Sequence, residues 1–182
     1  MRTIASMKPE YLPPALKLVE QVFTEHENAE EGRIVRALVE EIRSKKYYLP
    51  ELELLMIEDG EVIGYVMFSR FHIEGKYEDR LVLLSPAAVK TCCQRQGISR
   101  ELIEYGFKKA AEMGFTAAMV EGNPANYRSR GFQTSANVGI VAGPNIHLPH
   151  VDCLMVAELV PGGLEGIQGE VDYSFYEVLT QE

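Results

Sequence analysis

A short polar run in the middle of the chain has the residue types and the spacing of an anion-binding turn. Residues 94–99 join a strand-like segment, residues 80–89, to a segment with helical spacing that starts at Ile98. The first amides of a helix have no partner within it, and the helix dipole adds about half a positive charge there. Gly97 leaves room for a ligand, and Arg95 can add a charge-assisted contact. The run therefore predicts a phosphate or pyrophosphate site.

This turn resembles the cofactor-binding pattern of the GNAT superfamily of N-acetyltransferases, Gln/Arg-x-x-Gly-x-Gly/Ala. Gln94, Gln96 and Gly97 match the pattern, and Ser99 stands where Gly or Ala is usual. A Rossmann dinucleotide site is disfavoured because the chain has no Gly-x-Gly-x-x-Gly run. The resemblance implies acetyl-CoA or another acyl-CoA as co-substrate, and no metal. The residues that it implies for cofactor binding in this turn are Gln94, Arg95, Gln96, Gly97, Ile98, Ser99 and Arg100.

The strand-like segment before the turn contains Pro86, which a regular central ladder would not tolerate. A bulge or a local break in strand pairing is therefore expected there. In the family that the turn resembles, this strand splays from the next one, and the pantetheine arm of CoA pairs with the freed backbone groups. The resemblance maps that contact onto Ala87, Ala88 and Val89. A backbone N–H near Ala88 or Val89 would also stabilise the charge that develops on the acyl oxygen.

A second segment, residues 123–132, is similar to the family segment in which a short helix ends in Tyr-x-x-x-Gly-Phe. The resemblance gives Tyr127 the role of the general acid that protonates the CoA sulfur. A phenol with a reference pKa of about 10 keeps its proton at neutral pH and can serve in this way. Packing of the Tyr127 ring on the core is the alternative interpretation.

An amine acceptor must lose a proton before or during the reaction. An ordinary alkylamine has a pKa of about 10.4, so its deprotonation at pH 7 costs roughly 4.6 kcal/mol. A carboxylate is the natural candidate for the base. Glu121 ends the strand that precedes the Tyr127 segment. Three further candidates lie where the family covers its acceptors, namely Glu27, Glu30 and Glu31. Each of the four also fits a solvated surface charge, because Glu is abundant here, and a water relay is a further alternative, so the sequence assigns no base.

The hydrophobic pattern around these residues predicts the elements that position them. Helical spacing covers residues 9–23, 34–42 and 98–113, with a connection over 24–32 and a short helix over 124–130. The predicted strands are residues 1–4, 52–57, 62–71, 80–89, 115–120, 151–160 and 171–178. This order favours the α/β (α+β) class and a single domain over residues 1–182. The resemblance implies the GNAT acyl-CoA N-acyltransferase fold, a central mixed sheet of six to seven strands with helices on both faces and a splay between the fourth and fifth strands.

The composition limits the partners. A formal charge of -9 disfavours nucleic acid, because binding to phosphate backbones relies on a surplus of Lys and Arg. No apolar run approaches the ~20 residues that cross a bilayer, and the N-terminus lacks the features of a secretory signal, so we expect no membrane partner and a cytoplasmic location. The three cysteines, two of them adjacent at Cys92 and Cys93, do not indicate a disulfide framework. A metal site or a redox sensor is the alternative for the adjacent pair, but no Cys-x-x-Cys spacing or nearby His cluster supports it, so we expect small buried side chains.

These features together predict an N-acetyltransferase. It would move an acetyl or short acyl group from a CoA thioester to an amine of a small molecule or a peptide, by direct attack in a ternary complex. The alternative is a noncatalytic acyl-CoA-binding or interaction module that retains the fold. The resemblance also implies a homodimer, and it does not select the acceptor.

Overall fold

The centre of the computed structural model is a mixed sheet of seven strands. The structure describes residues 1–180, and these contain β1 (Arg2–Ser6), β2 (Glu53–Glu58), β3 (Glu61–Arg70), β4 (Leu81–Val89), β5 (Ala117–Glu121), β6 (Gln133–Thr134), β7 (Ile140–Ala142), β8 (Leu154–Glu158) and β9 (Gly169–Val171). The strand order in the large sheet is β1-β2-β3-β4-β5-β8-β6. Its neighbours are antiparallel except for β4 and β5, which are parallel. Strands β7 and β9 form a small parallel sheet.

Four α-helices accompany the strands in the described part of the chain: α1 (Leu12–His26), α2 (Ala29–Ser44), α3 (Ile98–Glu112) and α4 (Pro124–Tyr127). Helices α1 and α2 pack on one face of the sheet, above Tyr65 and Met67 of β3. Helix α3 packs on the opposite face, above Val66 and Phe68. Because successive residues of a strand point to opposite faces, these alternating contacts place helices on both sides of the sheet. The predicted fold is confirmed.

The connection between α1 and α2 is shorter than the sequence indicated, so the predicted loop over residues 24–32 is wrong. The Asn28 side chain accepts a hydrogen bond from the Glu31 backbone N–H at 2.8 Å and so caps α2. Two residues therefore separate helix α2 from the end of α1. Gly32 then lies inside α2 against α1, where a Cβ atom would collide with the Thr24 side chain. The glycine that looked like a loop residue is instead a site of close helix packing.

The predicted last strand, residues 171–178, is also wrong. Strand pairing stops at the end of β9, and the Asp172 carboxylate then accepts the Ser174 backbone N–H at 2.6 Å in a turn. Residues 169–180, here called the C-terminal segment, bury or half-bury their three aromatic side chains, Tyr173, Phe175 and Tyr176. In a strand these side chains would alternate between faces. The strands β6 and β7 were not predicted, because two or three residues are too few to show an alternating pattern.

Candidate active site

Strands β4 and β5 separate after three paired residues. Residues 81–83 pair with residues 117–119, and β4 then continues to Val89 with no strand partner on that edge among residues 1–180. On its other edge, β4 keeps its pairing with β3 but contains a bulge, in which Ser85 and Pro86 together face Met67. The expected break at the proline and the expected splay are confirmed, and the result is an open gap within the sheet.

The backbone of β4 presents alternate residues to this gap. The Lys90 N–H donates to the Ile63 carbonyl at 2.9 Å, so residue 90 faces β3. Because the ladder of an antiparallel pair alternates, Ala88 faces Tyr65 of β3 in the same way. The N–H and C=O groups of Ala87 and Val89 therefore point to the opposite edge, toward the gap.

A run of free backbone amides lies at the end of β4, in the turn that leads to α3. Among residues 1–180, no acceptor binds the N–H groups of residues 95–100, and the Gln94 N–H donates to the Thr91 carbonyl at 3.3 Å. We call residues 94–100 the cradle. Residues 95–97 and Arg100 are exposed to solvent, so this turn is open to an incoming anion that can accept hydrogen bonds from free amides.

Two residues of the cradle have left-handed backbone conformations. Gly97 has φ +81° and Arg95 has φ +61°. A left-handed conformation costs a residue with a side chain roughly 1–2 kcal/mol, so Arg95 holds local strain. A Cβ atom on Gly97 would meet nothing within 4 Å, so its conformation, and not crowding within the chain, requires glycine.

The cradle is fixed to the sheet by close packing at Gly64 of β3. A Cβ atom there would lie 2.8 Å from Ile98 Cγ2 and 3.0 Å from Leu102 Cδ1. Ile98 itself is buried at the start of α3. The absence of a side chain thus lets the first turn of α3 rest on the strand. Sequence reasoning missed Gly64, although a glycine within an apolar strand often marks such a close approach.

The side chains of the cradle contact several distant elements. The Gln94 amide lies 3.2 Å from the Val89 carbonyl oxygen and 2.9 Å from His26 Nε2 at the end of α1. The Gln96 side chain accepts a hydrogen bond from Arg2 in β1. Of the other predicted residues, Ser99 is half-buried, Arg95 is exposed, and Arg100 pairs with Glu104 along α3 at 3.0 Å.

Tyr127 lies at the end of α4, with its ring against the backbone of Gly122, just beyond β5. A Cβ atom on Gly122 would come within 2.7 Å of the ring. The ring also packs edge-on against Phe132, with 5.7 Å between centroids. Burial raises the pKa of Tyr127, and Arg130 partly opposes the rise, so the phenol stays protonated near neutral pH. Its hydroxyl has no hydrogen-bond partner within residues 1–180.

Glu121 at the end of β5 has a perturbed acidity. Although the residue is exposed, the surroundings of its carboxyl group raise its pKa by desolvation, and the nearby Tyr173 hydroxyl opposes the rise. Tyr173 belongs to the C-terminal segment and packs edge-on against Phe71 at 5.9 Å. Sequence reasoning missed Tyr173, because it assigned this residue to a strand. Of the other base candidates, Glu27 and Glu30 are exposed at the junction of α1 and α2.

Tyr127 and Glu121 lie on opposite faces of the sheet. Ala117 and Met119 of β5 point into the core under the C-terminal segment, and by alternation Glu121 points to that same face. Tyr127 instead packs against the core under α3. The Glu121 carboxyl group and the Tyr127 hydroxyl are therefore on opposite faces of the sheet.

The comparison with known families agrees with this geometry. The sequence profile of the "Acetyltransferase (GNAT) family" matches residues 16–134, which run from α1 to β6 and include the gap, the cradle and Tyr127. The chain belongs to the GNAT acetyltransferase family. It is therefore an acyltransferase.

Relatives and solved structures of GNAT enzymes cover much of the chain. "Uncharacterized N-acetyltransferase YhbS" of Escherichia coli K12 is 31% identical over 117 residues, which are 64% of this chain and 67% of the relative. The crystal structure of YhbS from Escherichia coli in complex with CoA has a TM-score of 0.84 at 26% identity, over 99% of this chain and 92% of that one. A GNAT acetyltransferase from Brucella melitensis in complex with acetyl-CoA has a TM-score of 0.71 at 25% identity, over 95% and 96% of the two chains.

Two further properties of this GNAT chain concern metals and membranes. Within residues 1–180, no group of three or more His, Cys, Asp or Glu side chains is arranged to hold a metal ion. His150, one of four scattered histidines, instead accepts the Asp152 backbone N–H at 3.1 Å. Over the same residues, every helix is too short or too polar to cross a bilayer.

Proposed function

We propose that this GNAT enzyme transfers an acetyl group from acetyl-CoA to the amine of a small molecule or a peptide, as one domain in the cytoplasm. The observation that carries the proposal is the run of free amides at residues 95–100 beside a gap in the sheet. The complexes of the two structural neighbours with CoA and acetyl-CoA support the choice of co-substrate. A homodimer stays a prediction that sedimentation of the purified chain can check.

The cradle and the gap fit the two parts of CoA. Six amides at a helix start, with the side chains of Arg95 and Arg100, suit a diphosphate. Bound in the gap, an amide-bearing pantetheine arm would find the backbone groups of Ala87 and Val89 in the position of a missing strand. The Val89 carbonyl already accepts from Gln94, but a carbonyl oxygen has a second lone pair. Ala88 keeps the strand in register with β3.

The donors toward the gap also define a site for the acetyl oxygen. Since the Ala88 N–H faces β3, the N–H groups of Ala87 and Val89 are the two that can stabilise negative charge on that oxygen. Such donors contribute most when they are fixed in advance, and here the β3 ladder fixes them.

Glu121 and Tyr127 divide the proton transfers between them. On the face under the C-terminal segment, Glu121 takes the proton of the attacking amine. On the α3 face, Tyr127 donates its proton to the sulfur that leaves. A carboxyl group with a raised pKa is a stronger base than an ordinary glutamate, and a phenol with a raised pKa keeps its proton until it is needed.

A CoA-release assay with acetyl-CoA and a panel of primary amines tests the proposal. We expect turnover with at least one amine, and a value of kcat/KM that falls at low pH as the raised pKa of Glu121 is crossed from above. In Glu121→Gln this acidic limb should disappear and the rate should fall about a hundredfold or more. Glu112→Gln, at the end of α3, is the matched control. Binding of acetyl-CoA without turnover of any amine would contradict the proposal and favour the noncatalytic module.

A further inference from the structure

Two adjacent cysteines occupy the turn between β4 and the cradle, and the proposed reaction gives them no role. The expectation that both are small buried side chains is wrong: Cys92 is exposed and Cys93 is half-buried. Their Sγ atoms are 3.8 Å apart, which is van der Waals contact. A disulfide between them needs rotation of both side chains and a change in the backbone, because adjacent Cα atoms lie about 3.8 Å apart, closer than in most disulfides.

A cavity gives small molecules access to Cys92. It has a volume of about 320 Å³ and lies between α1 and the turn. Lys90 lines the cavity beside Cys92 and pairs with Glu61. Cys92 is exposed at this cavity, whereas Cys93 is half-buried and burial raises the pKa of its thiol. Cys92 is therefore the thiol that a small disulfide reaches first.

The conformation of the turn is coupled to the cradle. The Cys93 N–H donates to the Lys90 carbonyl at 2.8 Å, and the Gln94 N–H donates to the Thr91 carbonyl at 3.3 Å. The Cys93 side chain packs against the core under α3. We expect a ring closed across two adjacent residues to change the local backbone, and these two hydrogen bonds would pass that change to Gln94, the first residue of the cradle.

We propose that Cys92 and Cys93 form a redox-sensitive site, which a low-molecular-weight disulfide oxidises to a vicinal disulfide, and that this bond weakens acetyl-CoA binding. The Cys92 thiolate attacks one sulfur of the small disulfide and releases one small thiol. The Cys93 thiolate then attacks the Cys92 sulfur of the mixed disulfide and releases the second small thiol. The two cysteines lose two electrons and two protons in total, and the small disulfide gains them.

The regulatory part of this inference rests on the proposed function, because it assumes that the cradle binds acetyl-CoA. Displacement of the cradle should remove at least one charge-assisted hydrogen bond to the diphosphate. This loss corresponds to about a tenfold weaker affinity for acetyl-CoA.

The test is oxidation of the full chain with oxidised glutathione, followed by intact-mass measurement and calorimetric titration with acetyl-CoA. Wild type and Cys153→Ser should each lose two hydrogen atoms in the peptide that contains residues 92–93. Both should bind acetyl-CoA about tenfold more weakly, and dithiothreitol should restore the affinity. Cys92→Ser and Cys93→Ser should form no ring and keep their affinity under the same treatment.

Stable glutathione adducts without ring formation would overturn the proposal, and so would a ring that leaves the affinity unchanged. Failure of the reduced wild type to bind acetyl-CoA would overturn the proposed function and the regulatory claim together. In that case the mass measurement would still show whether the two thiols close a ring, so the two failures are distinguishable.

Discussion

Two parts of the sheet differ in whether their polar groups find partners within the chain. Beneath α2, Glu53 is fully buried, and its carboxylate is bound by the Arg43 guanidinium and by the hydroxyls of Tyr48 and Tyr65, the latter at 2.7 Å. We call this cluster, with strands β1 to β3, the paired half. Within residues 1–180, Glu121 at the gap has the Tyr173 hydroxyl nearby but no paired cation, and the amides of residues 95–100 have no acceptor. We call this region the open half.

We infer that the paired half contributes mainly to the stability of the fold and the open half mainly to the reaction. In the paired half, each buried charge is neutralised within the chain, so loss of a partner leaves an uncompensated charge and weakens the fold. In the open half, unsatisfied donors and a desolvated carboxyl group lie beside a gap in the sheet, where a ligand can supply the missing hydrogen-bond partners. Substitutions in the two halves should therefore affect different measurements.

The largest effect should come from the paired half. Arg43→Met leaves Glu53 buried without its cation and should lower the free energy of unfolding by roughly 3–5 kcal/mol, as measured by urea denaturation. The specific activity of the molecules that remain folded should stay within about twofold of wild type. Arg36→Met, which breaks partly exposed pairs with Glu20 and Glu40, is the control and should cost about 1 kcal/mol or less. Equal losses in the two variants would contradict the comparison.

The next effect belongs to the open half. Tyr127→Phe removes the proton donor but keeps the ring that packs on Gly122, so kcat should fall about a hundredfold or more. The free energy of unfolding should change by less than about 0.5 kcal/mol, since the hydroxyl has no partner to lose. Tyr105→Phe on the exposed side of α3 should leave both quantities unchanged. An unchanged kcat in Tyr127→Phe would make this tyrosine a packing residue.

A smaller effect is expected at the cradle. Gly97→Ala forces a side chain into φ +81° and should lower stability by about 1 kcal/mol and weaken acetyl-CoA binding about tenfold. Gly60→Ala is a close match, because Gly60 has φ +82° in the β2–β3 turn and also has open space around it. It should cost the same stability and leave the affinity unchanged. If both variants bind acetyl-CoA equally well, the cradle is not the phosphate site.

The smallest effect concerns the partner of Glu121. The nearby Tyr173 hydroxyl lowers the pKa of Glu121, so its removal in Tyr173→Phe should raise that pKa further. The acidic limb of kcat/KM should then move to higher pH, by less than about one unit. In the double variant Glu121→Gln with Tyr173→Phe, the acidic limb should be absent, so no shift is expected. A shift toward lower pH would show that Tyr173 acts on another group.

The features that the sequence predicted correctly are local. The cradle depends on Gly97 and on a helix start beside it, both of which lie within a few residues. The bulge in β4 was expected from Pro86, because a missing N–H within a central strand must disturb the ladder, whereas the splay from β5 was implied by the family resemblance. The helix periods of α1, α2 and α3 extend over several turns, and local spacing suffices to recognise them.

The features that the sequence missed depend on contacts between distant residues. The role of Gly64 is visible once Ile98 is known to lie above it. The approach of the Tyr173 hydroxyl to Glu121 depends on an irregular segment. Its aromatic side chains pack into the core and do not follow the alternation of a strand. The Glu41 carboxylate helps to fix that segment by accepting the Glu177 and Val178 backbone N–H groups, both at 2.8 Å. No pattern of neighbouring residues encodes these contacts.

The most direct test of the account is a titration of the isotope-labelled chain with CoA, followed by the backbone amide resonances in solution. The account predicts that the amides of residues 95–100 shift most, with those of Ala87 and Val89 next, while the amides of Ala88 and of the Glu53 cluster shift little. Saturable binding that leaves the cradle amides unmoved and shifts another surface instead would contradict it.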